Sequence, residues 1–491
     1  MFKQMIPPSE IERLSNQIVH EPQNLDFIRN SFLKFGEKPS KNNHSVFKLI
    51  SILFFEPMLP SRQVASSVGL TAEELKKAYS WLRKSKFFQA LITSNYHPLS
   101  LMIQYAKQLI TDLIENPGYF QKILNKESIS PRVLEVHVTN GKCNYMCKMC
   151  LWRVGQRKPR YNNEKVKKEP LSTKEWKKVI SQAKKLGTEA VVFSGGGEPT
   201  LREESHIVMA HARELGLKRA VNTNGSRLLE LCRSQSPLFQ EYLKCNWIRI
   251  SLHAAHNQTY NQIAGLPMEG NNLQRVVLGI KSLIENRQRV DSDLKIGIGF
   301  VIQESNVSEV LKAVQLTKNI GVDFLNLRTD FTNITKKPGK QEMHHLLGQL
   351  RRVRTNYEKG YYDDMNIDFT DGLIALMNGW THDFTPKLPK ICRAYFHRAA
   401  IGPYGRVAIC DLTSDPYYSH LRFTRGFLRE KEYAQIVLED KEKTYPGDKC
   451  SYCSPGQIAL NVFFEKIIND AKIGIMPEDQ FLNPAYPNRF A

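Results

Sequence analysis

The sequence has no apolar run long enough to cross a bilayer, which takes about 20 consecutive apolar residues. The longest apolar run, residues 49–55, is short and contains Ser51. Residues 1–10 have no apolar core of the kind found in a secretory signal peptide. Low-complexity tracts and repeats of fixed period are also missing. We therefore expect a cytoplasmic protein without a membrane partner.

The cysteine pattern does not suit a disulfide framework. The chain of 491 residues has nine cysteines, an odd number, and seven of them lie in motif-like groups. Such groups favour metal ligation, which also suits a reducing compartment. Cys232 and Cys245 lie outside these groups, and we expect them to be small buried residues.

Acidic residues are too few to balance the basic ones. The chain has 69 Lys and Arg against 49 Asp and Glu, a formal net charge of +20 at pH 7. This excess favours an anionic partner, namely a phosphorylated or nucleotide-linked small molecule, an acidic peptide or nucleic acid, although it also fits a surface that is only well solvated. Seven basic residues and one acidic residue lie within 153–168, a loop that we expect to steer an anion.

The length exceeds what one ordinary hydrophobic core accommodates, so we expect several domains. Apolar residues at helical spacing predict a helical domain over 1–130, in which residues 61–82 resemble a helix-turn-helix. This domain could recognise a peptide in the manner of a winged helix, bind nucleic acid, or pack on the rest of the chain. We place the two further domains at 131–360 and 361–491.

From 131 to 330, short β-rich runs alternate with helical runs, which is typical of βα units around a parallel sheet. Six such units predict the α/β fold class and a partial (β/α)6 TIM-like barrel, with its site at the C-terminal ends of the strands. The predicted strands are Val133–Val138, Ala190–Phe193, Arg219–Asn222, Trp247–Leu252, Ile296–Ile302 and Phe324–Leu327.

Three cysteines with the spacing C-x3-C-x2-C follow the first predicted strand: Cys143, Cys147 and Cys150. Thiolates are the preferred ligands of iron–sulfur iron, and three of them would hold three irons of a [4Fe–4S] cube and leave the fourth iron open. The alternatives are scattered buried thiols or a zinc site, which would want a second C-x2-C pair close by. The spacing resembles the signature of the radical S-adenosylmethionine (SAM) superfamily, in which the open iron binds the amino and carboxylate groups of SAM.

A glycine run follows the second predicted strand, in Ser194 to Thr200. Consecutive glycines let the backbone approach a ligand without Cβ clashes, and the carboxylate beside them can accept hydrogen bonds from an ammonium group. A glycine run on its own also fits an ordinary turn. At this place in the chain it resembles the GGE motif of radical SAM proteins, which implies that Gly196, Gly197 and Glu198 contact the SAM amino group.

The same resemblance implies that residues at later strand ends bind the ribose, carboxylate and adenine of SAM. We predict Asn224, Ser251 and Arg328 for these contacts, with helix capping or a turn as the alternative for each. His253 lies at a similar place and is either structural or directed to the substrate.

Two departures from the family pattern are visible. Met149 stands where an aromatic residue usually precedes the last motif cysteine, and a thioether can fill that space. A motif after the fifth strand is only faintly echoed by Gly297 and Glu304, which we do not assign to the site.

A second cysteine set lies near the C-terminus, with the order C-x12-G-x4-C and then C-x2-C around Gly405. Four thiolates can close all corners of another cube, although a structural zinc ion competes for the same ligands. The order resembles the SPASM/Twitch subgroup and implies a Twitch-type domain with one auxiliary [4Fe–4S] cluster. Its cysteines are Cys392, Cys410, Cys450 and Cys453.

The resemblance covers about 131–455 and implies an enzyme that cleaves SAM reductively to a 5′-deoxyadenosyl radical, which abstracts a C–H hydrogen. We expect an anionic substrate such as a sugar or nucleotide derivative, oxidation or dehydrogenation as the outcome, electron transfer by the auxiliary cluster, and an external donor such as flavodoxin or ferredoxin. The alternative is a maturase acting on a precursor peptide made by the ribosome. A redox sensor that binds nucleic acid is a third reading, and nucleic acid is not the partner that we expect.

Overall fold

The computed structural model describes residues 130–139, 142–150, 169–330, 338–369, 390–414, 423–440 and 445–450, together with Trp152, Leu373, Cys453, Asn461 and Phe464. The predicted helices and helix-turn-helix of the N-terminal domain lie outside these residues, and so does the predicted basic loop 153–168. No helix in the described ranges is long and apolar enough to cross a membrane.

Among the described residues, ten strands form one sheet in the order β10-β9-β8-β1-β2-β3-β4-β5-β6-β7. Neighbours from β8 through β1 to β7 pair in parallel, whereas β9 and β10 are antiparallel to their neighbours. The strands are β1 (Val133–Val136), β2 (Ala190–Phe193), β3 (Lys218–Thr223), β4 (Trp247–Ser251), β5 (Lys295–Ile302), β6 (Phe324–Thr329), β7 (Asn366–Phe369), β8 (Arg398–Ile401), β9 (Arg406–Ala408) and β10 (Thr424–Phe427).

Helices connect the parallel strands, so the predicted α/β class and the six predicted strands are confirmed. The helices are α1 (Thr173–Lys185), α2 (Ser205–Glu214), α3 (Leu228–Arg233), α4 (Pro237–Tyr242), α5 (Asn257–Ala264), α6 (Asn272–Arg289), α7 (Val310–Ile320), α8 (Lys340–Glu358) and α9 (Tyr433–Glu439).

Helix α1 shows how the local sequence fixes these elements. Ser172 and Glu175 form a capping box that satisfies free N–H groups at the start of the helix. The buried residues Trp176, Ile180 and Ala183 recur at helical spacing and form one apolar face. That face packs into the main hydrophobic core with the strands.

Side chains alternate between two faces of the sheet, as strand geometry requires. On β4, Ile248 and Ile250 are fully buried in the core beneath the helices, whereas Arg249 between them points to the opposite face. Two strands, β2 and β3, separate β1 from β4 in the sheet. The charges of Glu135 on β1 and Arg398 on β8 nevertheless act on Arg249. A sheet that curves with this face inward brings these side chains near one another. The inward face is therefore polar and the helix-covered face apolar.

Parallel pairing extends beyond the six predicted strands, to β7 on one side and β8 on the other. The sheet thus includes strands from both sides of residue 360, and the predicted domain boundaries stay predictions. Both extra strands have only four residues, and Arg398–Ile401 contains two alanines, which have low β-propensity. Their pairing depends on a neighbouring strand edge, which a local sequence pattern does not reveal.

Candidate active site

The first three predicted cysteines lie half-buried on a loop beyond the C-terminal end of β1, here called the cysteine loop (residues 142–150). This loop packs against the end of α5, where Met146 N–H donates to Ala264 O at 2.8 Å. Gly265 follows with a left-handed φ of 66°, and a Cβ there would come within 2.8 Å of Met146 O. A glycine at this position lets the loop approach the helix closely.

Tyr145 holds the middle of the cysteine loop in place. Its ring is 6% exposed and meets Tyr260 edge to face at 6.2 Å, and the two hydroxyls lie 3.1 Å apart. Burial raises the pKa of Tyr145, so the phenol remains protonated. The backbone N–H of Tyr145 lies 3.5 Å from Cys143 Sγ, where it can stabilise negative charge on the sulfur.

The predicted GGE motif lies on a loop after β2, here called the GGE loop (residues 194–200), in direct contact with the cysteine loop. The N–H of Glu198 donates to Lys142 O at 2.9 Å. Gly197 has a φ of 143°, and a Cβ on it would collide with Lys142 O. Thr139 Oγ1 also donates to Gly196 O at 3.0 Å. Only glycine at position 197 permits this contact between the two loops.

The Glu198 carboxylate is 2% exposed and accepts four hydrogen bonds. Its Oε1 accepts from Thr200 N, Thr200 Oγ1 and Thr223 Oγ1 at 2.6 to 3.0 Å, and its Oε2 accepts from Asn224 N at 2.7 Å. Burial raises its pKa, although these hydrogen bonds oppose the shift. A carboxylate has about four acceptor sites shared between two oxygens, so Oε2 retains capacity for a further donor.

Asn224 connects the end of β3 to the cysteine loop. Its Nδ2 donates to Asn144 Oδ1 at 2.9 Å and lies 4.0 Å from Cys143 Sγ. Ser226 completes the connection, because its N–H donates to Asn224 Oδ1 and its hydroxyl accepts from Asn144 Nδ2. The predicted residues Asn224, Glu198 and Cys143 thus lie together. Asn144 and Ser226 were missed, and the clustering of amides near the first cysteine is the signal that could have found them.

Ser251 and Arg328 lie elsewhere, half-buried on the inward face of β4 and β6. Ser251 is in register with Gly299 of β5, and Arg328 with Val301. Their predicted contacts with SAM stay predictions.

His253 follows β4 and holds the end of β5. Its Nδ1 accepts the Val301 N–H at 3.1 Å, and Asn306 Nδ2 donates to its carbonyl oxygen at 2.8 Å. Burial, with the charges of Arg328 and Arg249 nearby, lowers the pKa of His253 to about 3. The ring is therefore neutral at physiological pH and its contacts are those of a structural residue.

In the second set, Cys410 and Cys453 each lie near enough to Cys392 and Cys450 to be affected by their charge. Burial raises the pKa of the Cys410 and Cys453 thiols, and each also responds to negative charge on Cys392 and Cys450. Tyr445 O accepts the Cys392 N–H at 2.8 Å, which ties the first of these cysteines to the segment that precedes the last two. The four thiols are half-buried, and their assignment as one ligand set stays a prediction.

In the described part of the chain, no group of three or more His, Cys, Asp and Glu side chains is arranged to hold one metal ion. The predicted clusters, and the zinc ion that is their alternative, therefore stay predictions for both cysteine sets.

A buried polar chain that the sequence did not reveal runs between the two cysteine sets. His137 lies 3.4 Å from Glu135 Oε1 and 3.3 Å from Ser414 Oγ, just after the turn that begins at Cys410. Burial opposes ionisation of Glu135, but the Arg398 guanidinium that donates to it lowers the pKa of Glu135 below its usual range. These hydrogen-bonded side chains couple the end of β1 to the segment that carries Cys410 of the second set.

Comparison with known proteins identifies the family of the central part of the chain. Residues 138–327 match the family model described as the Radical SAM superfamily. These residues form a radical SAM domain. It contains the cysteine loop, the GGE loop, Asn224 and Ser251, whereas Arg328 lies just beyond the match and the second cysteine set well outside it. A domain of this superfamily implies SAM and one [4Fe–4S] cluster as cofactors.

Two curated relatives share this domain. A probable GTP 3′,8-cyclase from Saccharolobus islandicus is 28% identical over 197 residues, which cover 40% of this chain and 55% of the relative. A dTDP-4-amino-4,6-dideoxy-D-glucose ammonia-lyase from Streptomyces venezuelae is 23% identical over 311 residues, 62% of this chain and 60% of the relative. The chain thus spans little more than half the length of either relative.

Among solved structures, SuiB from Streptococcus suis bound to the precursor peptide SuiA matches with a TM-score of 0.47 and 16% identity. That match covers 86% of this chain and 88% of the SuiB chain.

Proposed function

We propose that this protein is a radical SAM enzyme that cleaves SAM reductively and abstracts a hydrogen atom from a C–H bond of an anionic small molecule. The observation that carries this proposal is the contact between the cysteine loop and the GGE loop, in which Glu198 N–H donates to Lys142 O and Cys143 Sγ lies 4.0 Å from Asn224 Nδ2. When bound, the reduced cluster and SAM supply a 5′-deoxyadenosyl radical that performs the abstraction.

The residues present fit both cofactors. The thiols of Cys143, Cys147 and Cys150 are half-buried on one short loop and would hold the cluster. The N–H groups near Cys143 Sγ stabilise a thiolate there. Glu198 Oε2, already anchored by one backbone donor, would accept a hydrogen bond from the SAM ammonium group. Gly196 and Gly197 would let the backbone approach the same group.

The substrate class rests on charge and on the relatives. The chain has a formal net charge of +20, which favours an anionic ligand. The cyclase is named for GTP and the ammonia-lyase for a dTDP-linked amino sugar. Both names describe nucleotide-containing substrates, which supports a sugar or nucleotide derivative for this chain.

We extend the proposal to the second cysteine set, which would hold an auxiliary [4Fe–4S] cluster in a Twitch-type arrangement. Four cysteines leave no open iron for substrate, so electron transfer is its task and an external flavodoxin or ferredoxin its electron source. An electron acceptor near the substrate favours oxidation or dehydrogenation, although the two relatives are named for cyclisation and ammonia elimination.

Anaerobic reconstitution with iron and sulfide tests both parts. We expect about eight irons and eight sulfides per chain for two cubes, and formation of 5′-deoxyadenosine when SAM and a strong reductant are added. Replacing Cys147 with serine should abolish SAM cleavage, and the matched control Cys232→Ser should retain it. Lack of SAM cleavage by the wild-type protein contradicts the proposal, and about four irons with one zinc contradicts the auxiliary cluster.

A further inference from the structure

A row of three polar side chains crosses the inward face of the sheet from β4 to β7. Arg249 Nη1 donates to Asn326 Oδ1 at 3.4 Å, and Asn326 Nδ2 donates to Asp368 Oδ2 at 2.7 Å. All three side chains are half-buried, whereas Leu325 and Leu327 beside Asn326 are fully buried on the other face. The row thus lies on the face that encloses the interior of the barrel.

A glycine of β5 makes room for this row. Gly297 is in register with Arg249 and Gly299 with Asn326, so the strand between β4 and β6 has no side chain here. A Cβ on Gly299 would lie 3.3 Å from Arg249 Cδ, tighter than ordinary contact, and 3.5 Å from its Nε. The arginine therefore lies across β5 and reaches β6. The Phe324 ring fills the space at Gly297, so Gly299 is the glycine that accommodates Arg249.

The guanidinium of Arg249 has more N–H donors than the described residues offer acceptors for. It carries five N–H groups, and in the described part of the chain the Asn326 oxygen is the hydrogen-bond acceptor it meets. Trp247 offers the face of its ring at 5.9 Å. Burial, with Arg328 and Arg398 nearby, lowers the pKa of Arg249 to about 9, so the group stays charged at neutral pH. Glu135 and Asp411 lie near enough to offset part of this shift, and the N–H groups that meet no acceptor among the described residues suit an anionic ligand.

Asp368 closes the other end of the row. Its Oδ2 accepts from Asn326, while its Oδ1 meets no hydrogen-bond donor among the described residues. Burial raises the pKa of this carboxyl. Ser251 lies in the same register layer as Asp368, because Ser251 pairs with Gly299, Gly299 with Asn326, and Asn326 with Asp368. A carboxylate oxygen with free acceptor capacity suits a ligand hydroxyl or amine.

We propose that Arg249, Asn326 and Asp368 form a substrate subsite that binds a phosphorylated, hydroxylated small molecule. The phosphate would take the unused N–H groups of Arg249, and a hydroxyl would donate to Asp368. Asn326 holds both ends at a fixed separation through its two hydrogen bonds. The assignment as a substrate site rests on the proposed function, but binding of the anion does not.

The test uses the reconstituted full-length protein with SAM bound, titrated calorimetrically with ribose 5-phosphate. We expect Arg249→Gln to weaken binding about tenfold, as for the loss of a charge-assisted hydrogen bond, and Arg249→Lys to weaken it less. The matched control Arg233→Gln removes an exposed arginine at the end of α3 and should leave affinity unchanged. Asp368→Asn should weaken ribose 5-phosphate binding without affecting inorganic phosphate.

Equal affinity in the wild-type protein and Arg249→Gln, or no saturable binding by the wild type, would overturn the subsite. An equal loss in Arg233→Gln would do the same, because it would assign binding to general surface charge. The Arg249→Lys variant separates loss of the donor fork from misfolding. Formation of 5′-deoxyadenosine without substrate is measured on the same wild-type sample. If that reaction fails while the binding pattern holds, the proposed function falls and the anion site stands.

Discussion

The backbone N–H of Asn224 donates a 2.7 Å hydrogen bond to Oε2 of Glu198, and this contact joins the ends of β2 and β3 at the cysteine loop. The Asn224 side chain continues the connection to Asn144 and to the sulfur of Cys143. The carboxylate of the GGE motif therefore has a positioning role in the protein itself. Through Asn224 it orders the ends of β2 and β3 beside Cys143.

Replacing Glu198 with glutamine should impair both stability and SAM cleavage. An amide has one oxygen, and if this oxygen serves the three donors at Oε1, the NH2 group faces the Asn224 N–H. Two opposed buried donors cost about 1–3 kcal/mol. We expect a lower Tm and at least a tenfold loss of 5′-deoxyadenosine formation. The control Glu214→Gln, at an exposed position on α2, should match the wild type in both measurements.

Substituting alanine for Gly197 should separate the GGE loop from the cysteine loop. The φ of 143° disfavours any other residue, and a Cβ would also collide with Lys142 O. We expect the iron content to fall by about four per chain, the content of one cube. Gly187→Ala is the matched control, since its φ is also positive, at 100°, and its Cβ would meet nothing within 4 Å. Equal iron loss in both variants would assign the effect to backbone strain alone.

The sequence was sufficient for the strands and loops that contain their own signals. The strands β1 to β6 and the capping box of α1 follow from local patterns, and the cysteine and glycine motifs follow from spacing. Strands β7 and β8 were missed, because their pairing is decided by a neighbouring edge and not by their short sequences.

The site residues that lie inside strands were harder to predict from the sequence. Glu135, Arg249 and Asp368 stand in short β-rich runs where a single charge has no motif around it. Their grouping depends on sheet register and on curvature, which act over distances of more than 100 residues along the chain. The reason for a glycine at position 299 is visible only in the structure, where the Arg249 side chain lies across it.

Replacing Cys453 with serine should separate the two proposed clusters functionally. The charges of Cys392 and Cys450 act on this thiol, which is far along the chain from the cysteine loop. We expect iron to fall from about eight to about four per chain, SAM cleavage to persist, and product formation from a true substrate to stop. Cys245→Ala is the control, as this buried thiol belongs to neither set. An unchanged iron count in Cys453→Ser would contradict the auxiliary cluster.

Because of His253, the free energy of unfolding should fall as the pH drops below 6.5, the ordinary pKa of a histidine. Its folded pKa is about 3 against an ordinary 6.5, so between these values the unfolded chain binds a proton that the folded protein does not. Stability from the neutral ring is present above pH 6.5 and decreases toward pH 3. Between pH 7 and pH 5 the loss is about 2 kcal/mol.

The variant His253→Asn should reduce this dependence, because asparagine can still accept the Val301 N–H without gaining a proton. Anaerobic urea unfolding at pH 7 and pH 5 measures how much the free energy of unfolding changes with pH. This change is compared between the variant and the wild type, so that the effect of cluster loss, which is common to both, cancels. His206→Asn, at a half-buried position in the first turn of α2, serves as the control. If the wild type and His253→Asn lose the same stability over this range, the ring is not the neutral buried group that its contacts with Val301 and Asn306 indicate.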